Sequence, residues 1–145
     1  MIPKTVDISG PWEVLPPGIH DATMDEIKTR YATNPHRNLL FQGLVAAVAA
    51  LRAAGCKNIY LDGSFVTEKQ QPSDFDGCWD PTGVDDQKLD PVLLDFKNKR
   101  ENQKKKYLGE LFLFSGWAAP GHTFLTYFQK DKDTGKPKGI IHIIS

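Results

Sequence analysis

The chain has few cysteines, no excess of either charge and no long apolar run, and each shortage narrows the field. Cys56 and Cys78 form no CxxC pair. One disulfide is possible by count, but without a secretory segment the two read as reduced thiols. Lys plus Arg equal Asp plus Glu at 18 each, which argues against a general nucleic-acid coat protein. The most apolar stretch, Arg37 to Arg52, is shorter than the roughly 20 residues a membrane span needs. The opening MIPKTVDISGPWEVLPPG has no apolar core beside basic residues, so no signal peptide is expected and the chain reads as cytoplasmic, without a membrane partner. His20, His36, His122 and His142 share no ligand spacing, so zinc is not expected. Repeats and low-complexity tracts are missing as well.

What remains suits one compact domain. The 145 residues are 40% apolar and 10% aromatic, enough to bury a core. Pro3, Pro11, Pro16, Pro17 and Gly18 make residues 1–22 an extended arm, with the domain occupying 23–145. Thr23 and Glu26 form a capping box for a helix to about Tyr31, burying Met24, Ile27 and Tyr31. Asn34-Pro35 starts a second helix. Its stripe is Leu40, Leu44, Val48 and Leu51, widened by Phe41 and Val45, and Gly55 ends it. Residues 58–65 and 75–79 read as short strands, 91–107 as a helix, 111–114 as a strand, 123–128 as a short helix or strand, and 140–144 as a strand buried on both faces. The expected class is α+β, with a small mixed sheet of about four strands flanked by helices.

Chemistry concentrates in one place. Asp62-Gly63-Ser64 ends a strand, nine residues follow, and Asp74-Phe75-Asp76 starts another. Strand alternation puts Asp74 and Asp76 on one face, about 7 Å apart at Cα, and sends Phe75 to the other. Paired carboxylates of this kind suit Mg²⁺, which takes oxygen ligands and completes its shell with water or phosphate. Gly63 lets the backbone approach a phosphate, and Ser64 offers an amide and a hydroxyl. Asp62 shares a face with Ser64 and lines the pocket or bonds a nearby turn.

The run LDGSFVTEKQQPSDFDG resembles the core motif of the DNA polymerase β-like nucleotidyltransferase superfamily: apolar, Gly, Gly or Ser, spacer, acid, apolar, acid. More closely, the segments Leu15 to His20, Gly63 to Asp76 and Phe128 to Ile141 resemble those of small prophage-associated minimal nucleotidyltransferase-like bacterial proteins. The resemblance implies Mg²⁺-dependent transfer of a nucleoside monophosphate from an NTP to a protein or RNA hydroxyl, with two ions stabilising an in-line displacement. It assigns Gly63, Ser64 and Lys69 to the nucleotide, and Asp74 and Asp76 to the metal. A third carboxylate belongs on a later strand. Glu110 has the right chain order for that catalytic and metal-binding role, and Asp95 competes with it. Two departures from the motif are Gly77, where an apolar residue usually follows the second acid, and Gly109 before Glu110. The resemblance also implies a toxin–antitoxin or phage-defence setting, with a cognate toxin or antitoxin protein as partner. DNA is not expected.

Other features have blander alternatives. Lys69 reaches a phosphate or is an exposed loop lysine. KNKRENQKKK (97–106), with six basic residues and one acid, contacts RNA or is a solvated helix face. Trp12, Trp79 and Trp117 stack a base or pack the core. His142 reads as a satisfied core residue, and His122 as a cap for the short helix. A silent fold acting as a binding partner is the alternative to an enzyme, and an RNA-binding module is the third reading.

Overall fold

The structure is a computed structural model describing residues 2–119 and 121–144. Its centre is a five-stranded mixed sheet in the order β1-β7-β2-β3-β4. The strands are β1 (Gly18–Ala22), β2 (Ile59–Asp62), β3 (Phe75–Trp79), β4 (Gly109–Leu113) and β7 (Gly139–Ile143). β1 runs parallel to β7 and β3 parallel to β4, while β2 is antiparallel to both its neighbours. A separate two-stranded ribbon pairs β5 (Trp117–Ala119) with β6 (His122–Thr123).

The expected sheet flanked by helices is present, with one strand more than the four anticipated. The extra strand comes from the arm. Residues 18–22 are extended, as the prolines before them favour, and they join the sheet by pairing with β7. The earlier part of the arm also holds to the domain. Val6 bridges Val14, and Arg30 donates to the carbonyls of Ile2 and Pro3.

Helix α1 (Met24–Tyr31) has the full capping box: Thr23 accepts from the Glu26 amide, and Glu26 accepts from the Thr23 amide. Such caps contribute about 1 kcal/mol. Ile27 and Tyr31 are buried and Met24 is only half-buried. Helix α2 (Pro35–Ala53) starts at Asn34, whose side chain accepts from the Arg37 amide. Its buried side packs with Ile59, Leu61, Phe75, Trp79, Leu111, Ile141 and Ile143 in one core. Val45, placed in the stripe from the sequence, is 44% exposed because it falls at the stripe's margin.

The helix read over 91–107 is two pieces. A 3-10 turn spans Pro91–Leu94, and α3 spans Lys97–Tyr107. Asn98, Lys99 and Arg100 have φ of 50°, 58° and 61°, so α3 begins with a left-handed turn. That costs on the order of 1 kcal/mol or more for each residue with a Cβ. The capping role given to His122 falls instead to Thr123, which accepts from the Thr126 amide at the start of α4 (Phe124–Tyr127). Among the described residues no helix is long and apolar enough to cross a membrane.

Strand alternation divides the sheet. Ile59, Leu61, Phe75, Trp79, Leu111, Ile141 and Ile143 face the helices. Tyr60, Asp62, Asp76, Cys78, Glu110, Phe112 and His142 face the other way. The segment after β4 returns over part of that second face, where Phe124 stacks on Phe112 with ring centres 4.1 Å apart.

Candidate metal and nucleotide site

The register across β2, β3 and β4 places Asp62 opposite Asp76 and Asp76 beside Glu110. Asp74 stands just before β3. Oxygens from Asp74, Asp76 and Glu110 all lie within 4.8 Å of one another. Glu110 is therefore the carboxylate that joins the pair. Asp95 is not: it accepts from the Lys97 amide and the Asn102 side chain at the head of α3.

The two glycine departures have a packing reason. A Cβ on Gly77 would lie 2.5 Å from the Tyr60 carbonyl oxygen of β2, and one on Gly109 would meet the Phe75 ring at 2.4 Å. Phe75 thus lies over Gly109 of the neighbouring strand, which keeps Asp76 and Glu110 in register. Gly63 has φ +81° and ψ −167°, a region essentially open to glycine alone. A Cβ there would lie 2.2 Å from Asp76 Oδ2, so the turn hugs the carboxylate.

Electrostatics shows what the trio lacks. Two ionised carboxylates at 4.8 Å repel by about 3 kcal/mol at an effective dielectric of 20. Burial, then the Asp74 charge and Glu110, push Asp76 well above the usual carboxylate range. Burial and then Glu110 raise Asp74. Glu110 is also penalised by burial, but Lys104 at 2.9 Å, a hydrogen bond shared with Asp76, and Arg100 at 3.3 Å lower it overall. Of the three, Asp76 is the carboxyl pushed furthest toward its protonated form, and a cation placed among them would favour the ionised one. Three oxygen donors at this spacing could hold a hard divalent cation.

Beside the trio opens a cleft lined by Trp12, Asp62, Gly63, Ser64, Asp76, Tyr127, Phe128 and the Lys130–Asp133 turn, with Lys138 at its wall. Its cavity volume is about 100 Å³, below the roughly 300 Å³ at which small-molecule pockets begin. A space of that size suits a phosphate group and not a whole nucleotide. Lys138 Nζ lies 3.2 Å from Asp62 Oδ1, both well buried. Burial lifts Asp62 to about 6, against the pull of Lys138. Lys69, expected at the phosphates, has its ammonium 4.9 Å over the Trp12 ring; Lys130, Lys132 and Lys138 line the cleft itself. Trp79 is in the core and Trp12 lines the cleft, while the side chain of Trp117 lies outside the described residues. His142 is satisfied, between Asp21 at 2.9 Å and Asn58 at 3.0 Å.

The spacer between the motif halves is held by the start of α2. Asn34 donates to the Gln70 carbonyl at 3.0 Å, and His36 contacts the Pro72 carbonyl. Arg37, 4% exposed, donates to the carbonyls of Tyr31, Phe65 and Thr67 at 3.2, 2.7 and 2.8 Å, and to that of Lys69. Arg37 stands three residues before Leu40 and so on the apolar stripe, where a charge demands partners; that is the sequence signal for its role.

The chain's residues 10–144 match the model of one family, DUF6932, described as a family of unknown function. No curated protein and no solved structure matches the chain.

Proposed function

Since the chain belongs to the DUF6932 family, whose function is unknown, its chemistry has to come from the site, and we propose a Mg²⁺-dependent nucleotidyltransferase of the DNA polymerase β-like type, acting in the cytoplasm. The observation that carries this reading is the convergence of Asp74, Asp76 and Glu110 within 4.8 Å beside the Gly63-Ser64 turn. Three carboxylates this close suit a cation better than a protein interior, and a lysine-lined cleft beside them suits the phosphates of an NTP.

Bound Mg²⁺, two ions in the fullest arrangement, would offset charge on the phosphates and polarise the phosphorus. The chain's own groups do the rest. Gly63 and Ser64 cradle the triphosphate, with Lys138, oriented by Asp62, beside the departing end. The acceptor hydroxyl oxygen bonds to the α-phosphorus as the bond from that phosphorus to the β-bridging oxygen breaks. The electron pair leaves with pyrophosphate, and the hydroxyl proton passes to Glu110.

The test is transfer of label from α-labelled NTPs, with Mg²⁺ and cell lysate, by the wild type and an Asp74→Ala, Asp76→Ala variant. Label on protein or RNA that disappears in the variant supports the reading; no transfer with any NTP by folded protein rejects it. A second reading is a silent fold that binds a partner, such as a toxin or antitoxin. It is favoured by the two cations, Arg100 and Lys104, that already neutralise Glu110. NTP binding without transfer, and without loss on the double change, would select it.

A further inference from the structure

Next to the carboxylate trio lies an aromatic groove that the reaction above does not use. Phe112 is two residues beyond Glu110 on β4, so their side chains share a face. The Phe96 and Phe112 rings are parallel within 2°, with centres 6.5 Å apart. Phe96, Arg100, Phe112, Leu113, Gly116 and Phe124 line an open cavity of about 330 Å³. The fold leaves Phe96 38% exposed instead of closing it into the core.

Shape and charge together select an occupant. Parallel ring walls favour a flat group over a branched aliphatic one. The guanidinium of Arg100 lies 4.9 Å over the Phe112 ring while its Nε reaches Glu110 at 3.3 Å, so a planar, delocalised group already rests on this face beside the trio. Lys104, Lys105 and Lys106 are paired with Glu110, Glu101 and Asp90. Lys97 and Lys99 are exposed and, among the described residues, make no ion pair with a carboxylate. Both follow Phe96 closely in the chain, Lys99 on the left-handed turn itself, and their charge suits a phosphodiester backbone. A flat ring on a polyanionic chain is a nucleobase of a single strand.

We infer that this groove is the acceptor subsite: the terminal base of a single-stranded nucleic acid stacks on the exposed Phe96 ring, taking the place that the Arg100 guanidinium holds over Phe112, and presents its sugar hydroxyl to Glu110. The placing of the hydroxyl rests on the transferase reading, whereas the stacking does not. The acceptor class is thereby narrowed from protein or RNA to nucleic acid.

The experiment is an anisotropy titration with labelled octanucleotides of RNA, of DNA, and of an abasic backbone, in Ca²⁺ without NTP. Phe96→Ala, which removes a partly exposed ring, should weaken the base-bearing strand about 5- to 150-fold and leave the abasic strand unchanged. Phe96→Trp should restore binding. The better of the RNA and DNA strands identifies the source. No octamer binding, equal affinity for abasic and base-bearing strands, or a neutral Phe96→Ala overturns the groove. The label-transfer assay reports separately: stacking without transfer sinks the transferase and keeps the groove, while transfer to protein unaffected by Phe96→Ala does the reverse.

Discussion

Replacing Gly63 by alanine isolates the contact on which the site depends. The new Cβ would fall 2.2 Å from Asp76 Oδ2 and 2.9 Å from its Cβ, so the carboxylate must move off the trio. Holding a non-glycine residue at φ +81°, ψ −167° adds about 1–3 kcal/mol of strain. At about 3 °C per kcal/mol for a domain of this size, the metal-free protein should melt about 3–9 °C lower. The sharper effect is on the cation. A cation at a hundred times its Kd stabilises by about 2.7 kcal/mol, a rise of about 8 °C in the wild type on the same scale. In Gly63→Ala that rise should vanish. Gly83→Ala is the control: its φ is +78° but its added Cβ meets nothing within 4 Å, so it should lower the melting point without touching the cation response. Differential scanning fluorimetry with and without Mn²⁺ reads both. A full cation-induced rise in Gly63→Ala would refute the reasoning.

Two further changes test the supports around the trio. Arg37→Met should leave the carbonyls of Tyr31, Phe65, Thr67 and Lys69 short of a donor; with each orphaned buried acceptor costing about 1–3 kcal/mol, urea denaturation should show a loss of at least 3 kcal/mol, and Arg37→Lys should rescue little of it. Lys138→Met should cost about 3–5 kcal/mol at pH 8, because it leaves Asp62 buried and charged, but much less at pH 5, where Asp62, already raised to about 6, holds its proton. The sign follows from linkage: a raised carboxyl binds its proton more tightly when folded, so its destabilising effect grows as pH climbs from the ordinary 3.8 through the folded value. Adding Asp62→Asn should recover most of the loss in denaturation curves at pH 8.

Much of the framework was legible because it is local. The Thr23–Glu26 box, the Asn34-Pro35 start and the alternation around Phe75 each rest on neighbours a few residues apart. The choice between Glu110 and Asp95 was not local: it depends on the parallel pairing of β3 with β4, which the chain reaches only through α3. For the same reason the glycines that looked like departures make sense only across strands, where Gly77 faces the Tyr60 carbonyl and Gly109 takes the Phe75 ring. The strand at Gly18–Ala22 was hidden by the prolines before it and by a partner more than a hundred residues away. Lys138 had no visible role because Asp62, its partner, ends β2, far away along the chain. Arg37 is the instructive omission, since a charge on an apolar helix stripe was itself the signal.

The central claim is that Asp74, Asp76 and Glu110 together hold a divalent cation that a nucleotide then joins. Calorimetric titration of Mn²⁺ into the protein, in two buffers of different ionisation enthalpy, tests it directly. The account predicts saturable binding that tightens as pH rises, releases a proton from the trio, strengthens with an NTP present, and is lost in Asp76→Asn. Binding that is absent, or that survives Asp76→Asn unchanged, would contradict it.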